Sequence, residues 1–314
     1  MSKPRIYMHD VAPRDGFQNE PVFIETDDKI DFINALSECG FAKIEATSFT
    51  SPKAIPALRD AEEVMHRIER KPGVEYTVLI PNSRGAERAL SCGIDEANLV
   101  MSASETHNRA NLRMGRDQSS TQLSQIIEAL ADTKVAVNVS LSTVFGCPME
   151  GNVAESEVLR LIEGFARQKV KRMTLCDTTG MAYPSQVRHI ARMAKASFPE
   201  VTFTFHFHNT RGLAQSNVLA AIDAGIDRFD ASLGGIGGCP YAPGASGNAC
   251  TEEVVHMLEL EGFDTGVDLQ KLVAVAARLP ALVQHDIPSQ ILKAGHRLTS
   301  HPAPEHAQVV GKAA

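Results

Sequence analysis

Two histidines, His206 and His208, are separated by a single residue in the apolar run Thr202–His208. Side chains alternate between the two faces of a β-strand, so both imidazoles are expected on one face. The phenylalanines that alternate with them are expected on the other face. Two imidazoles at this spacing at the end of a strand can bind one metal ion. The pair therefore predicts a metal or catalytic site, in preference to two histidines with a purely structural role.

Polar residues are also concentrated at three other points where a short apolar run ends. Segment 13–20 carries Arg14 and Asp15, although this segment taken alone also has the composition of a solvated turn. Glu45 lies among apolar neighbours, where an unpaired carboxylate would be costly. Asp177 directly follows another apolar run. These acidic and polar groups are expected to meet the histidines at one site.

A glycine-rich segment, residues 234–248, contains Cys239 and Asn248. Glycine permits backbone conformations that other residues avoid and a close approach to a ligand, and such a segment can move as a lid. Cys239 is either an inert buried thiol or a reactive one, and the sequence leaves both open.

The elements that must position these residues are short β-rich runs that alternate with helical patterns along the whole chain. In one such pattern Val158, Leu161, Ile162 and Phe165 form a single apolar stripe. Eight βα units predict an α/β fold, a (β/α)8 TIM barrel, whose chemistry lies at the carboxyl ends of the strands. The predicted strands are Ile6–Asp10, Lys43–Thr47, Glu75–Ile80, Ala97–Ser102, Val135–Leu141, Arg172–Cys176, Thr202–His208 and Arg228–Ser232.

A doubly wound open sheet is the competing architecture, but no GxGxxG fingerprint follows the first run. Two additional C-terminal helices are predicted over Thr251–Leu260 and Val267–Gln284. We expect one catalytic domain over residues 1–298, including these helices, and a flexible tail over residues 299–314.

Composition and charge exclude several classes of protein. The chain has 31 Lys and Arg against 38 Asp and Glu, so it has no basic field for nonspecific binding of nucleic acid or an anionic membrane. The sequence has no apolar stretch long enough to span a bilayer and no recognisable signal at its beginning. Six cysteines without a CxxC pair argue against a disulfide framework and favour the reducing cytoplasm.

Taken together, these segments resemble the 3-hydroxy-3-methylglutaryl-CoA lyase family, within the wider group of metal-dependent barrel lyases and Claisen-condensing synthases. The resemblance covers nearly the whole chain, and the glycine-rich segment with its cysteine is its most specific part. The segments that carry it are Pro13–Glu20, Ile44–Phe49, Gly146–Gly151, Asp177 with Thr178, the two histidines, and Gly237–Asn248.

The resemblance implies cleavage of 3-hydroxy-3-methylglutaryl-CoA to acetyl-CoA and acetoacetate, by a homodimer with Mg²⁺ or Mn²⁺ in the barrel mouth. A hard divalent cation there would hold the substrate hydroxyl and carboxylate and lower the pKa of the hydroxyl. By the same resemblance, its ligands are Asp15, His206, His208 and Asn248.

Catalytic roles follow from the resemblance as well. It implies that Asp15 is the base or part of the proton path, that Arg14 stabilises the thioester enolate, and that Cys239 protonates the acetyl carbanion. Glu45 is expected to orient Arg14 or a metal-bound water. Asp177 and Thr178 are expected to be polar wall contacts.

Binding of the CoA moiety is the least defined expectation. Arg109 and Arg113 could supply positive charge for its phosphates, or they could belong to an exposed basic loop. Gln18 and Asn19 are the other residues expected to contact it.

Other functions within the fold stay open at this point. Arg211 departs from the lyase pattern; it could bind a different carboxylate, or it could simply face solvent. The first alternative is therefore a lyase for a related thioester such as citramalyl-CoA, which would yield acetyl-CoA and pyruvate. The second is a Claisen-condensing acyltransferase, although the chain lacks length for the regulatory domain that many of these carry. A non-catalytic metal-binding barrel would require a broken site, whereas every candidate residue is present.

Overall fold

Eight parallel strands close into a barrel in this computed structural model, which describes residues 3–238 and 247–307. Each strand pairs with its neighbour in chain order, and the eighth pairs with the first. The predicted (β/α)8 barrel is confirmed. The strands β1 to β8 are Tyr7–Asp10, Lys43–Ser48, Glu75–Leu79, Glu96–Ser102, Ala136–Ser142, Arg172–Asp177, Thr202–Phe207 and Arg228–Ala231.

Helices alternate with the strands and pack their apolar stripes on the outside of the barrel. The stripe Val158, Leu161, Ile162 and Phe165 is completely buried, as its helical spacing predicts. The α-helices of the described residues, α1 to α12, are Thr26–Ser37, Ala61–Arg67, Ser83–Ser91, Glu105–Leu112, Arg116–Leu130, Glu155–Ala166, Pro184–Ser197, Ala214–Asp223, Thr251–Leu260, Leu269–Ala276, Leu279–Val283 and Gln290–Ala294.

The predicted strands agree with the observed ones to within one or two residues. Two differences lie at the carboxyl ends of β7 and β8, where prediction extends each strand by one residue. There His208 forms a single bridge with Asn248, and Ser232 forms one with Cys250. The segment that returns from the glycine-rich loop therefore pairs with the residue directly after each of these strands.

The barrel separates an apolar layer from a polar lumen. Outside β7, Phe205 and Phe207 are buried, and their ring centroids lie 5.9 and 5.8 Å from that of Phe145. The same strand turns His206 and His208 to the opposite face, with ring centroids 5.2 Å apart. The predicted two-sided strand is confirmed, and it directs both imidazoles to the mouth of the barrel.

The first predicted C-terminal helix, Thr251–Leu260, is confirmed as α9, whereas the second differs from prediction. The single helix expected over Val267–Gln284 is two helices, α10 and α11, because Pro280 stands in the first turn of α11, where its missing N–H does no harm. A further short helix, α12, follows. Residues 308–314 of the predicted tail lie outside the described residues.

None of the described helices is both long enough and apolar enough to cross a membrane. The described cysteines, Cys39, Cys92, Cys147, Cys176 and Cys250, are buried free thiols.

Candidate active site

Asp15, His206 and His208 meet at the carboxyl-terminal mouth of the barrel. A π-helical turn, Ala12–Gly16, follows β1 and directs Asp15 inward, while β7 supplies His206 and the residue directly after this strand is His208. One potential ligand atom from each of the three residues lies within 4.8 Å of the other two, and all three side chains are buried. The structure thus brings together three of the four ligands that the resemblance implies.

Asn248, the fourth implied ligand, lies against the same cluster. Its Nδ2 donates hydrogen bonds to Asp15 Oδ2 at 2.8 Å and to Ile236 O at 3.0 Å. Its Oδ1 and the Nδ1 of His208 are buried without a hydrogen-bond partner among the described residues. Buried lone pairs left unpaired are costly, and an amide oxygen, a carboxylate and two imidazoles suit a divalent cation. These side chains therefore fit a metal ion.

The charge states in the cluster also suit metal binding. Burial, together with the neighbouring His206, lowers the pKa of His208 to about 3, so this imidazole is neutral. Burial disfavours a charged Asp15, but the charges of Arg14 and His206 and the hydrogen bond from Asn248 outweigh it and hold the pKa of this carboxyl below its ordinary value. The cluster therefore offers a carboxylate and a neutral imidazole as ligands.

Gly237 allows the glycine-rich segment to come close to this cluster. Its φ of +95° is in the left-handed region that favours glycine. A Cβ at this position would lie 2.6 Å from Asn248 Nδ2 and 2.9 Å from Asp15 O. Only glycine therefore fits between the first and last elements of the site.

Arg14 lies between two carboxylates. Its Nε and Nη2 each lie 2.6 Å from Glu45 Oε2, and its Nη1 donates to Asp15 Oδ1 at 2.7 Å. The guanidinium is mostly buried, and although burial disfavours the cation, the two carboxylates raise the pKa of Arg14. Glu45 thus contacts Arg14 as expected, and burial raises the pKa of Glu45 against the opposing effect of that guanidinium.

Asp230 is a site residue that sequence reasoning missed, although its strand was predicted. Its Oδ2 lies 3.6 Å from His206 Nδ1, and its Oδ1 lies 2.9 Å from His9 Nδ1. Burial disfavours its charge, but the two imidazoles hold the pKa of Asp230 well below its ordinary value. The available signal was an acidic residue between the apolar Phe229 and Ala231 of a barrel strand.

The turn after β6 is held by its own polar side chains. Asp177 Oδ1 accepts hydrogen bonds from Met181 N and Ala182 N at 2.7 and 3.1 Å, and burial raises the pKa of Asp177 to about 7. Thr178 Oγ1 accepts one from Thr143 N at 3.1 Å.

Arg211 contacts the same turn. Its Nη1 donates to Thr179 O at 3.1 Å and to Gly180 O at 2.8 Å. Arg211 is exposed, as the interpretation that it faces solvent expects, and its two described hydrogen bonds go to backbone carbonyls.

The residues expected to bind CoA do not form one cluster. Gln18 Nε2 donates to Asp15 Oδ1 at 3.3 Å, and Asn19 Nδ2 donates to Gly238 O at 2.6 Å, so both lie beside the metal cluster. Arg109 is exposed and pairs with Glu105 at 2.7 Å on α4.

Arg113, which follows α4, is exposed in the left-handed conformation, with φ of 59°. Cys239 lies outside the described residues.

The fold and this site define a class of protein, a (β/α)8 barrel with a candidate divalent-cation site at its carboxyl-terminal mouth. The chain belongs to the HMGL-like family, whose model matches residues 5–279.

Three relatives are similar over almost their whole length. The Bacillus subtilis protein named hydroxymethylglutaryl-CoA lyase YngG is 46% identical, over 92% of this chain and 97% of that protein. A Chloroflexus aurantiacus protein named (R)-citramalyl-CoA lyase is 36% identical, over 97% of this chain and 96% of its own. A solved HMG-CoA lyase from Acenitobacter baumannii, in complex with coenzyme A and 3-methylmalate, is 50% identical with a TM-score of 0.92, covering 95% of this chain and 98% of that one.

Proposed function

We propose that the protein is a divalent-metal-dependent carbon–carbon lyase that cleaves 3-hydroxy-3-methylglutaryl-CoA to acetyl-CoA and acetoacetate. The observation that carries this proposal is the buried cluster of Asp15, His206, His208 and Asn248, in which two buried polar atoms have no hydrogen-bond partner among the described residues. The names of the similar Bacillus subtilis and Acenitobacter baumannii proteins support the choice of substrate.

Asp15, His206, His208 and Asn248 would hold the metal. A bound Mg²⁺ or Mn²⁺ supplies Lewis-acid chemistry, because it lowers the pKa of a hydroxyl that it coordinates. Asp15, ionised by its neighbours, accepts the hydroxyl proton or passes it on.

Loss of this proton breaks the bond between the tertiary carbinol carbon and the carbon next to the thioester. The carbinol carbon becomes the ketone of acetoacetate, and the electron pair passes to the thioester as an enolate. Arg14, fixed by Glu45 and mostly buried, stabilises the negative charge on the enolate oxygen. Cys239 then protonates the carbanion to complete acetyl-CoA.

The CoA moiety is the other half of the substrate. Arg109 and Arg113 are exposed cations near the start of α5, available to its phosphates. Gln18 and Asn19, which lie next to the metal cluster, are available to the acyl end. We further propose a cytoplasmic homodimer whose catalytic domain covers residues 1–298.

A lyase for citramalyl-CoA is the second candidate, because the similar Chloroflexus aurantiacus protein carries that name. The same metal cluster and the same bond cleavage apply. Only the ketone product differs, since it would be pyruvate.

Product analysis by mass spectrometry tests both candidates. The purified protein is incubated with each thioester in Mg²⁺, and again after chelation. Metal-dependent acetyl-CoA and acetoacetate from 3-hydroxy-3-methylglutaryl-CoA support the proposal. If only citramalyl-CoA is cleaved, to acetyl-CoA and pyruvate, the assigned substrate changes to citramalyl-CoA while the proposed active site stays the same. If neither thioester gives a product, the proposal of lyase activity is overturned. Incubation with acetyl-CoA and a 2-oxo acid would then test for a condensing acyltransferase.

A further inference from the structure

A chain of buried amides lies in the lumen of the barrel below Arg14. Asn98 on β4 donates a hydrogen bond from Nδ2 to Glu45 Oε1 on β2, at 2.7 Å. Its Oδ1 accepts one from Asn138 Nδ2 at 2.9 Å and one from Ser140 Oγ at 2.7 Å, both on β5. The network therefore links three strands to the carboxylate that holds Arg14.

The hydrogen bonds fix the orientation of the Asn98 amide. Two donors, from Asn138 and Ser140, meet one side of it, and a carboxylate oxygen meets the other. A flipped amide would bring its oxygen against Glu45 and its NH2 group against two donors. Asn138 is itself held, because its Nδ2 also donates to Thr174 Oγ1 on β6 at 3.0 Å.

This arrangement uses the two oxygens of Glu45 for different purposes. Oε1 accepts from Asn98, while Oε2 accepts from Nε and Nη2 of Arg14. A carboxylate bound at both oxygens is not free to rotate, and the guanidinium it holds keeps one geometry. Glu45 and Asn98 are both buried, so the loss of the bond between them leaves buried polar groups without a partner, which is costly.

We propose that Asn98, held by Asn138 and Ser140, is a positioning residue that fixes Arg14 through Glu45 for the cleavage step. The inference rests on the proposed function, since Arg14 acts there on the thioester enolate. Asn98 touches neither the metal cluster nor Arg14 in any described contact, so its effect passes through Glu45 alone. Its sequence neighbours on β4, Ala97 and Leu99, are buried and apolar.

A role in positioning predicts a specific kinetic signature. Asn98→Leu keeps the branching and the number of heavy atoms of the side chain but leaves Glu45 Oε1 without its donor, so Arg14 loses its fixed geometry. Since Arg14 acts on charge that develops only in the transition state, we expect kcat to fall about ten- to a hundredfold with little change in KM. Binding of Mn²⁺ without substrate, measured by electron paramagnetic resonance, is expected to stay unchanged.

Thr77→Val is the matched control. Thr77 lies in the same lumen on β3, is equally buried, and donates to the backbone oxygen of Glu96 at 3.2 Å, outside the amide network. Its replacement should leave kcat unchanged. If Thr77→Val and Asn98→Leu lowered kcat equally, a general effect of lumen polarity would explain both, and the positioning role would be wrong.

A double-mutant cycle tests whether the effect of Asn98 on kcat passes through Glu45, and a milder variant, Ser140→Ala, keeps the test available if Asn98→Leu does not fold. In the background of Glu45→Gln, where the carboxylate is already lost, Asn98→Leu should lower kcat far less than in the native protein. Ser140→Ala, which removes one of the two donors to Asn98 Oδ1, should give a smaller loss of about two- to fivefold. Full additivity in the cycle, or native kcat in both Asn98→Leu and Ser140→Ala, would overturn the inference. Failure of the proposed function is separate, because the unmodified protein itself would then cleave neither thioester.

Discussion

Asn248 and Asp15 are 233 residues apart in the chain, yet Asn248 Nδ2 donates a hydrogen bond to Asp15 Oδ2 at 2.8 Å. The bond turns Asn248 Oδ1 away from Asp15, and this oxygen has no partner among the described residues. The segment after the glycine-rich loop therefore completes a cluster that the first βα turn begins. One hydrogen bond both joins the segment after the glycine-rich loop to the first βα turn and presents an additional ligand oxygen.

Metal affinity should depend on His208 and Asn248 before any substrate is present. We expect Asn248→Ala and His208→Ala each to raise the Kd for Mn²⁺ at least about tenfold, because each removes a buried ligand atom. The measurement is a titration followed by the electron paramagnetic resonance of free Mn²⁺. His189→Ala is the control, since His189 is exposed and pairs with Glu155 on the outside of the barrel. Unchanged Mn²⁺ binding in His208→Ala would remove this residue from the ligand set.

Gly237→Ala should disrupt the contact between Asn248 and Asp15, because residue 237 packs against both. The new methyl group would meet Asn248 Nδ2 at 2.6 Å in a backbone conformation that favours glycine, so we expect weaker Mn²⁺ binding and a loss of stability of about 1–3 kcal/mol. Gly164→Ala is the matched control. Gly164 lies within α6 with open space around its Cβ position, and this change should stabilise the protein by about 0.5–1 kcal/mol. Urea unfolding of both variants tests the contrast, and equal stabilities would contradict it.

Asp15→Asn should lower turnover by orders of magnitude while the fold is kept. Asp15 accepts hydrogen bonds from Arg14, Gln18 and Asn248, and an amide can keep only some of them. The amide also lacks the negative charge that binds the metal and accepts the proton. Steady-state kinetics in Mg²⁺ gives the turnover, and circular dichroism checks the fold. A variant with near-native turnover in Mg²⁺ would remove Asp15 from the proposed mechanism.

The barrel and much of its site could be predicted from local patterns. Alternation of period 2 in β7 was enough to direct His206 and His208 to one side, because a strand has only two faces. The helix break at Pro280 was missed, since the apolar period continues across it.

Contacts that depend on the register between strands could not be predicted. Asn98 meets Glu45 across 53 residues of sequence, and His9 meets Asp230 across 221. Neither pair shares a motif. What could have been noticed is that polar residues alternate with apolar ones in several strands, which indicates a polar lumen.

Asp60→Ala should destabilise the protein by about 3–5 kcal/mol, because it leaves the buried ammonium of Lys29 without its carboxylate. Lys29 Nζ donates to Asp60 Oδ1 at 2.8 Å and to Ala57 O at 2.7 Å, and both side chains of the pair are buried. Glu163→Ala breaks the exposed pair with Arg167 on α6 and should cost less than about 1 kcal/mol. Urea unfolding measures both, and a cost for Asp60→Ala as small as that for Glu163→Ala would be inconsistent with a buried pair.

The contribution of Asp10 to stability should fall as the pH rises from about 4 to 7. This residue at the end of β1 accepts hydrogen bonds from Ala12 N at 2.9 Å and Thr251 Oγ1 at 2.7 Å. Burial, helped by the charge of Glu252, raises the pKa of Asp10 to about 7, well above its ordinary value. The folded protein therefore binds a proton that the unfolded chain has already released, and this contribution to stability, up to about 4 kcal/mol, is lost as the pH passes through the raised pKa.

Asp10→Asn separates this contribution from the other titrating groups. The amide oxygen can still accept from Ala12 N, and its NH2 group can donate to Thr251 Oγ1, so the two contacts are kept without a titratable proton. We expect the variant to gain stability relative to the native protein as the pH rises from 5 to 8, measured as the difference in urea midpoints. Asp132→Asn, at an exposed position, should show a constant difference over the same range. A constant difference for Asp10→Asn as well would mean that Asp10 does not titrate in this range and is already ionised at pH 5.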